Sequence, residues 1–243
     1  MPSTRLQLAV IGAAVALAAA CGGNSSSGSS GSSAGTANGE AAKPAGQILA
    51  DARKAALAAS SVHVAGGIAA NAGRITLDVS LLGSRGGRGR LAINGLGFRI
   101  IRIGNTAYFS GSEAFYRKLS NSAAASLLKG RWLKASADSS SQFASFAQLT
   151  DMQKLIGAAL KPQGTPTKAG PRTYHGQPVV ALRDGATGSI LYVATQGPPY
   201  PVAIVNTRRR SAVTFDRWGE PVALTAPANA IDFSQLAQGQ GGG

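Results

Sequence analysis

Cys21 is the one side chain in this sequence whose type and setting commit it to a reaction. It is the only cysteine, and it directly follows the apolar run Leu6–Ala20. A thiol is a soft nucleophile, and the chemistry this position suits is alkylation to a thioether. Little else in the chain is arranged for bond-breaking. There is no Gly-x-Ser-x-Gly elbow, no His-Glu-x-x-His pair and no phosphate-binding loop. The acidic residues are dispersed without an evident carboxylate pair, and His63 and His175 have no obvious partner. The expectation is therefore a protein that is not an enzyme, with no metal site and no cofactor.

The elements around Cys21 explain its role. Arg5, a short apolar core and small residues before the cysteine make residues 1–20 a secretory signal peptide. The run is too short to cross a hydrocarbon layer of about 30 Å comfortably. A signal that ends in small residues before a lone cysteine resembles the bacterial lipobox, with Ala18 standing where Leu is most frequent. That resemblance implies a diacylglyceryl thioether on Cys21, with palmitate as an example of its chains, and cleavage before it; whether the new amino group is also acylated is left open. Two acyl chains anchor stably where one holds only marginally. The expected location is the extracytoplasmic face of the cell membrane. With Cys21 so used, no intrachain disulfide is possible.

Charge narrows the partners. The sequence carries 24 basic and 10 acidic residues, a net charge of +14. Losing residues 1–20 removes Arg5 alone from that balance. Such a charge would suit nucleic acid, but an exported chain has no access to it, so no nucleic-acid partner is expected. The basic residues are scattered, and only Arg208-Arg209-Arg210 forms a run. That run suits either phospholipid headgroups or a solvated hairpin turn.

Composition divides the chain into a signal (1–20), a lipidated cysteine with a Gly/Ser-rich flexible linker (21–44), a folded domain (45–236) and a disordered tail (237–243). Within the domain, Ile48, Ala52, Ala55, Ala56 and Ala59 recur at helical spacing. The period then changes to two. Val62, Val64, Ile68 and Ala70 share a face of one strand, and Ile75, Leu77, Val79 and Leu81 a face of the next. Asn71-Ala72-Gly73 reads as their hairpin turn and Arg85–Gly89 as another turn. Further strands are expected over 90–93, 98–103 and from 107. Helices are expected over 120–129 and 150–160, the second capped by Thr150 or Asp151. Strands return near 165–169, 178–183, 189–194, 201–206, 211–218 and 221–225. The class is α+β, built on a large antiparallel sheet.

Six strings in this order carry a family resemblance: Ser60–Gly66, Gly104–Phe109, Ala114–Lys118, Gly130–Lys134, Gly176–Leu182 and Leu191–Ala194. Together they resemble the actinobacterial LppX/LprA/LprF/LprG envelope lipoproteins over nearly the whole folded region. The resemblance implies a strongly bent antiparallel sheet, a half-barrel of the LolA/LppX kind, with helices on its concave face. It further implies an apolar space between sheet and helices that binds or transfers acyl chains of lipids or glycolipids.

A carrier of that kind needs an apolar hollow with a polar mouth. The core-facing stripes offer Val64, Ile68, Leu77, Val79, Leu81, Leu91, Ile93 and Ile100 as lining, with Leu127, Leu128, Leu155 and Ile156 closing it from the helices. The same residues equally make a filled core. Trp132, Trp218, Tyr108, Phe115 and Tyr116 suit either a cavity mouth or aromatic caps on the sheet. His63 reads as a solvent-face strand residue. The expected partners of this monomer are the membrane, a lipid or glycolipid, and an envelope transporter. The competing reading is a non-enzymatic scaffolding or protein-interaction module with a filled core.

Overall fold

A computed structural model describes residues 36–70, 73–118, 122–137 and 148–233. The signal peptide, Cys21, the Asn71-Ala72 turn and the tail over 237–243 lie outside the described residues. Helix α1 (Ala45–Ala58) starts just after Pro44, whose extended backbone sets the entry. Strands β1 (Val62–Ala70), β2 (Gly73–Leu82), β3 (Gly86–Ile93), β4 (Leu96–Ile103) and β5 (Thr106–Gly111) follow as a meander. Two short helices, α2 (Glu113–Arg117) and α3 (Ser122–Leu128), lead to β6 (Leu133–Ser136). Then come α4 (Met152–Ala159), β7 (Pro166–Tyr174), β8 (Gln177–Asp184), β9 (Ile190–Ala194), β10 (Pro201–Asn206), β11 (Ser211–Asp216) and β12 (Ile231–Asp232).

The described strands form one sheet in the order β12-β6-β5-β4-β3-β2-β1-β11-β10-β9-β8-β7. All neighbours are antiparallel except β6 and β12. The sheet is large, curved and unclosed, as the half-barrel expectation requires. Cross-strand register puts the alternating apolar residues on one concave face: Val64 lies opposite both Val79 and Phe215, and Ile204 opposite Val213. Glycine lets the sheet bend this tightly. Gly66, with φ +144° in mid-strand, could not carry a Cβ without overlapping the Ala212 carbonyl.

Three departures from the sequence reading have local causes. Residues 86–89 are strand, not turn: the glycines of β3 leave room for β2 and β4 to close in, and the turn falls at 83–85. Residues 221–225 form no strand, because β11 already pairs with β1 and β10 and has no free ladder side. The linker expected up to residue 44 ends sooner. Ala37 bridges Gln196, and the Asn38 side chain donates to the carbonyls of Ala194 (3.0 Å) and Gly197 (2.9 Å). Lys43 then joins the buried Glu40 to Asp51 on α1, and Lys168 of edge strand β7 donates to the Ala41 and Lys43 carbonyls.

Among the described residues, three helical segments divide the concave face between them. On β8 and β9, α1 inserts Ile48 and Ala52 against Val180, Leu182 and Val193. Over β4–β6, α2 and α3 add Phe115, Tyr116, Ala125 and Leu128 to Phe98, Ile100, Phe109 and Leu133. The middle of the face, on β1, β2, β10 and β11, is crossed by α4. No helix among the described residues is long and apolar enough to cross a membrane.

Candidate functional site

Under α4 lies a hollow of about 580 Å3. Its floor is Val64, Leu77, Ile204, Val213 and Phe215, and its roof is Leu149, Leu155, Ala158 and Ala159. A second hollow of about 510 Å3 shares Ile68, Ala158, Ala159, Ile204 and Arg209 with the first, and reaches Leu49 of α1 and Leu182 of β8. The two therefore form one trough running from β2 toward β8. Ligand sites of drug size take about 300–1,000 Å3.

The trough exists because α4 fills only one side of itself. Met152, Ile156 and Leu160, spaced by four, are buried in the main core. The next face carries Leu155 and two alanines, and those short side chains stop above the sheet.

Polar clamps hold α4 at this height. Asp151 caps its first turn by accepting from the Lys154 amide (3.0 Å). Arg102, a buried cation on the concave side of β4, donates to the Thr150 hydroxyl (3.1 Å) and carbonyl (3.2 Å) and lies 3.8 Å from Asp151. Beyond the other end, Asp184 of β8 accepts from the Gln163 and Gly164 amides (2.8 and 3.1 Å) on one oxygen. Its other oxygen takes the amide and hydroxyl of Thr187 (2.8 and 2.9 Å). Desolvation pushes the Asp184 carboxyl up, but these donors prevail and hold it at about 2. Gln153 also donates to the Leu57 carbonyl, tying α4 to α1.

Of the sequence candidates, Val64, Ile68, Leu77 and Leu155 line the trough. Val79, Leu81, Ile100, Leu128 and Ile156 do not: they are buried among core neighbours. Ile93 packs half-buried against that core. Leu91 is core too, and borders a separate groove of about 480 Å3 beside Arg90 and Arg99. Leu127 is contradicted outright. It is 76% exposed, because α3 turns Ala125 and Leu128 inward and presents Leu127 to solvent. Missed in the sequence were Ile204, Val213 and Phe215, whose period-two spacing on β10 and β11 was the available signal.

The aromatics sort themselves by place. Phe115 stacks on Phe98 at 4.6 Å, and the Tyr116 hydroxyl donates to the Arg131 carbonyl (3.0 Å), so both are structural. Burial raises the Tyr116 phenol above its ordinary value. Trp132 lies under the Arg99 guanidinium at 4.9 Å, and Trp218 stacks on Tyr200 at 4.7 Å. Arg208–Arg210 occupy the β10–β11 hairpin turn, and Arg209 reaches the rim of the trough. His63 bridges Asp216 (2.7 Å) and Asp78 (3.0 Å) across three strands of the convex face. Its two nitrogens are used on opposite carboxylates, and no set of three or more His, Cys, Asp or Glu among the described residues could hold a metal ion.

No protein-family model matches the chain, and no curated protein does. Among solved structures it is similar to LprF from Mycobacterium bovis, with 18% identity and a TM-score of 0.49 over 80% of this chain and 100% of that one. An uncharacterized conserved protein from Thermus thermophilus gives 14% identity and a TM-score of 0.36, covering 77% and 97%. A LolA superfamily protein from Nitrosomonas europaea gives 10% and 0.26, covering 74% and 95%. The architecture itself rests on the strand order and register described above.

Proposed function

We propose that this chain is a membrane-anchored, non-enzymatic lipid handler of the cell envelope. Cys21 carries the diacylglyceryl anchor, and the trough under α4 holds an acyl chain of a lipid or glycolipid. The trough is the observation that carries the reading: its floor and roof are apolar, its size suits a ligand, and it opens beside polar residues. Acyl burial there is favourable at about 0.8 kcal/mol per methylene. The competing scaffold reading asks for a filled core, which the β3–β6 part of the face has, whereas the described residues of the middle leave a hollow.

Organic extraction of the purified chain with mass spectrometry of the extract tests cargo and anchor separately. The wild type is expected to release a stoichiometric acyl lipid that is not covalently held. Cys21→Ala should keep that yield while the chain moves from the membrane fraction to the soluble one. An extract without lipid would refute the cargo reading, and an unchanged membrane fraction for Cys21→Ala would refute the anchor.

A further inference from the structure

The trough is polarised along its length. Ladder register places Leu77, Val64 and Phe215 away from the β10–β11 hairpin tip. Asn206 and Ser211 stand beside the tip, opposite one another. The buried Asn206 side chain donates to the Thr187 carbonyl (3.2 Å) and Ser189 hydroxyl (2.9 Å), and accepts from the Arg209 amide (3.0 Å). The backbone under Arg209 is thereby fixed at the edge of the hollow, which Lys154 of α4 also lines.

Among the described residues, neither the Arg209 guanidinium nor the Lys154 ammonium has an ion-pair or hydrogen-bond partner. Among the described residues, no carboxylate lines the first hollow. The one lining its extension, Asp184, has both oxygens engaged by amides and hydroxyls, while Lys161 adds a further cation there. Two cations without partners among the described residues, beside an apolar space, complement a ligand with a negative head and an aliphatic tail.

We propose that the trough selects anionic amphiphiles, with Arg209 and Lys154 binding a phosphate or carboxylate head while the tail lies between β1, β11 and α4. This rests on the reading of the trough as an acyl site. Charge-assisted hydrogen bonds from the two cations correspond to a preference of about tenfold over a neutral head. The preference should weaken with salt, because the rim is solvent-facing.

Calorimetric titration of the delipidated chain with three compounds of equal chain length tests this: palmitate, palmitoyl-lysophosphatidylglycerol and monopalmitoylglycerol, each below its micellar range. Both anionic compounds are expected to bind about tenfold tighter than the neutral one. In the double variant Arg209→Gln/Lys154→Gln they should fall to the neutral level, with monopalmitoylglycerol unchanged. Preference for only one anion would support the proposal and identify the head as carboxylate or phosphodiester. Equal binding of all three, or an equal loss of all three in the double variant, would overturn it while leaving the acyl site intact. Failure of all three to bind would overturn the acyl site itself.

Discussion

Two stretches of the same concave face are treated in opposite ways. Over β3–β6 the face is plugged: Phe98, Phe109, Phe115 and Tyr116 interdigitate, and each is at most 5% exposed. Over β1, β2, β10 and β11 the face is also apolar, yet among the described residues its hollow is roofed by Leu149, Leu155 and two alanines. The sheet surface is comparable in both, so the difference is made by the covering helices. Adjacent positions on α4 embody it, since Ile156 is fully buried in the core and Leu155 overhangs the hollow.

The sharpest way to break the comparison is therefore at those neighbours. Ile156→Ala should cost about 2–5 kcal/mol of unfolding free energy, because a fully buried aliphatic leaves a cavity that its neighbours cannot fill. Leu155→Ala should cost under about 1 kcal/mol, since much of its surface faces open space. Urea denaturation of both variants checks this, and equal losses would mean that the hollow is not there. The clamp that keeps α4 above the hollow comes next. Arg102→Met should cost about 2–3 kcal/mol by leaving the Thr150 hydroxyl and carbonyl without their donor, and should loosen α4 as read by faster amide exchange at Leu155 and Ile156.

The smallest effect concerns pH. Asp184 has a folded value of about 2, below the ordinary carboxylate range, so its stabilising contribution is present above about 4. It is lost as pH falls from about 4 through 2, when protonation frees the loop after α4 from β8. Asp184→Asn should flatten the urea midpoint over that window and leave its slope elsewhere unchanged.

Much of this fold was legible in the sequence because strand alternation is a one-dimensional signal. Ile75, Leu77, Val79 and Leu81 share a face, and the register with β1 made that face the concave one. Which part of the face stays open was not legible, because alternation says only that a side chain points inward, not what it meets. Leu77 and Val79 are two apart and read identically, yet one borders the hollow and the other is sealed in the core. The outcome depends on α4 docking through Arg102 and Asp184, contacts spanning 48 and about 20 residues. Likewise, helical spacing alone could not decide that Leu128 turns inward and Leu127 outward; the short α3 and its contacts with α2 did.

The central claim, that the trough holds an acyl chain, is tested most directly by native mass spectrometry of the purified chain beside Ile204→Trp. That substitution places an indole in the space shared by the two hollows. The account predicts a wild-type adduct of one lipid mass, lost on denaturation, and no adduct in the variant at unchanged thermal stability. A wild type without adduct, or an equal adduct in both proteins, would contradict it.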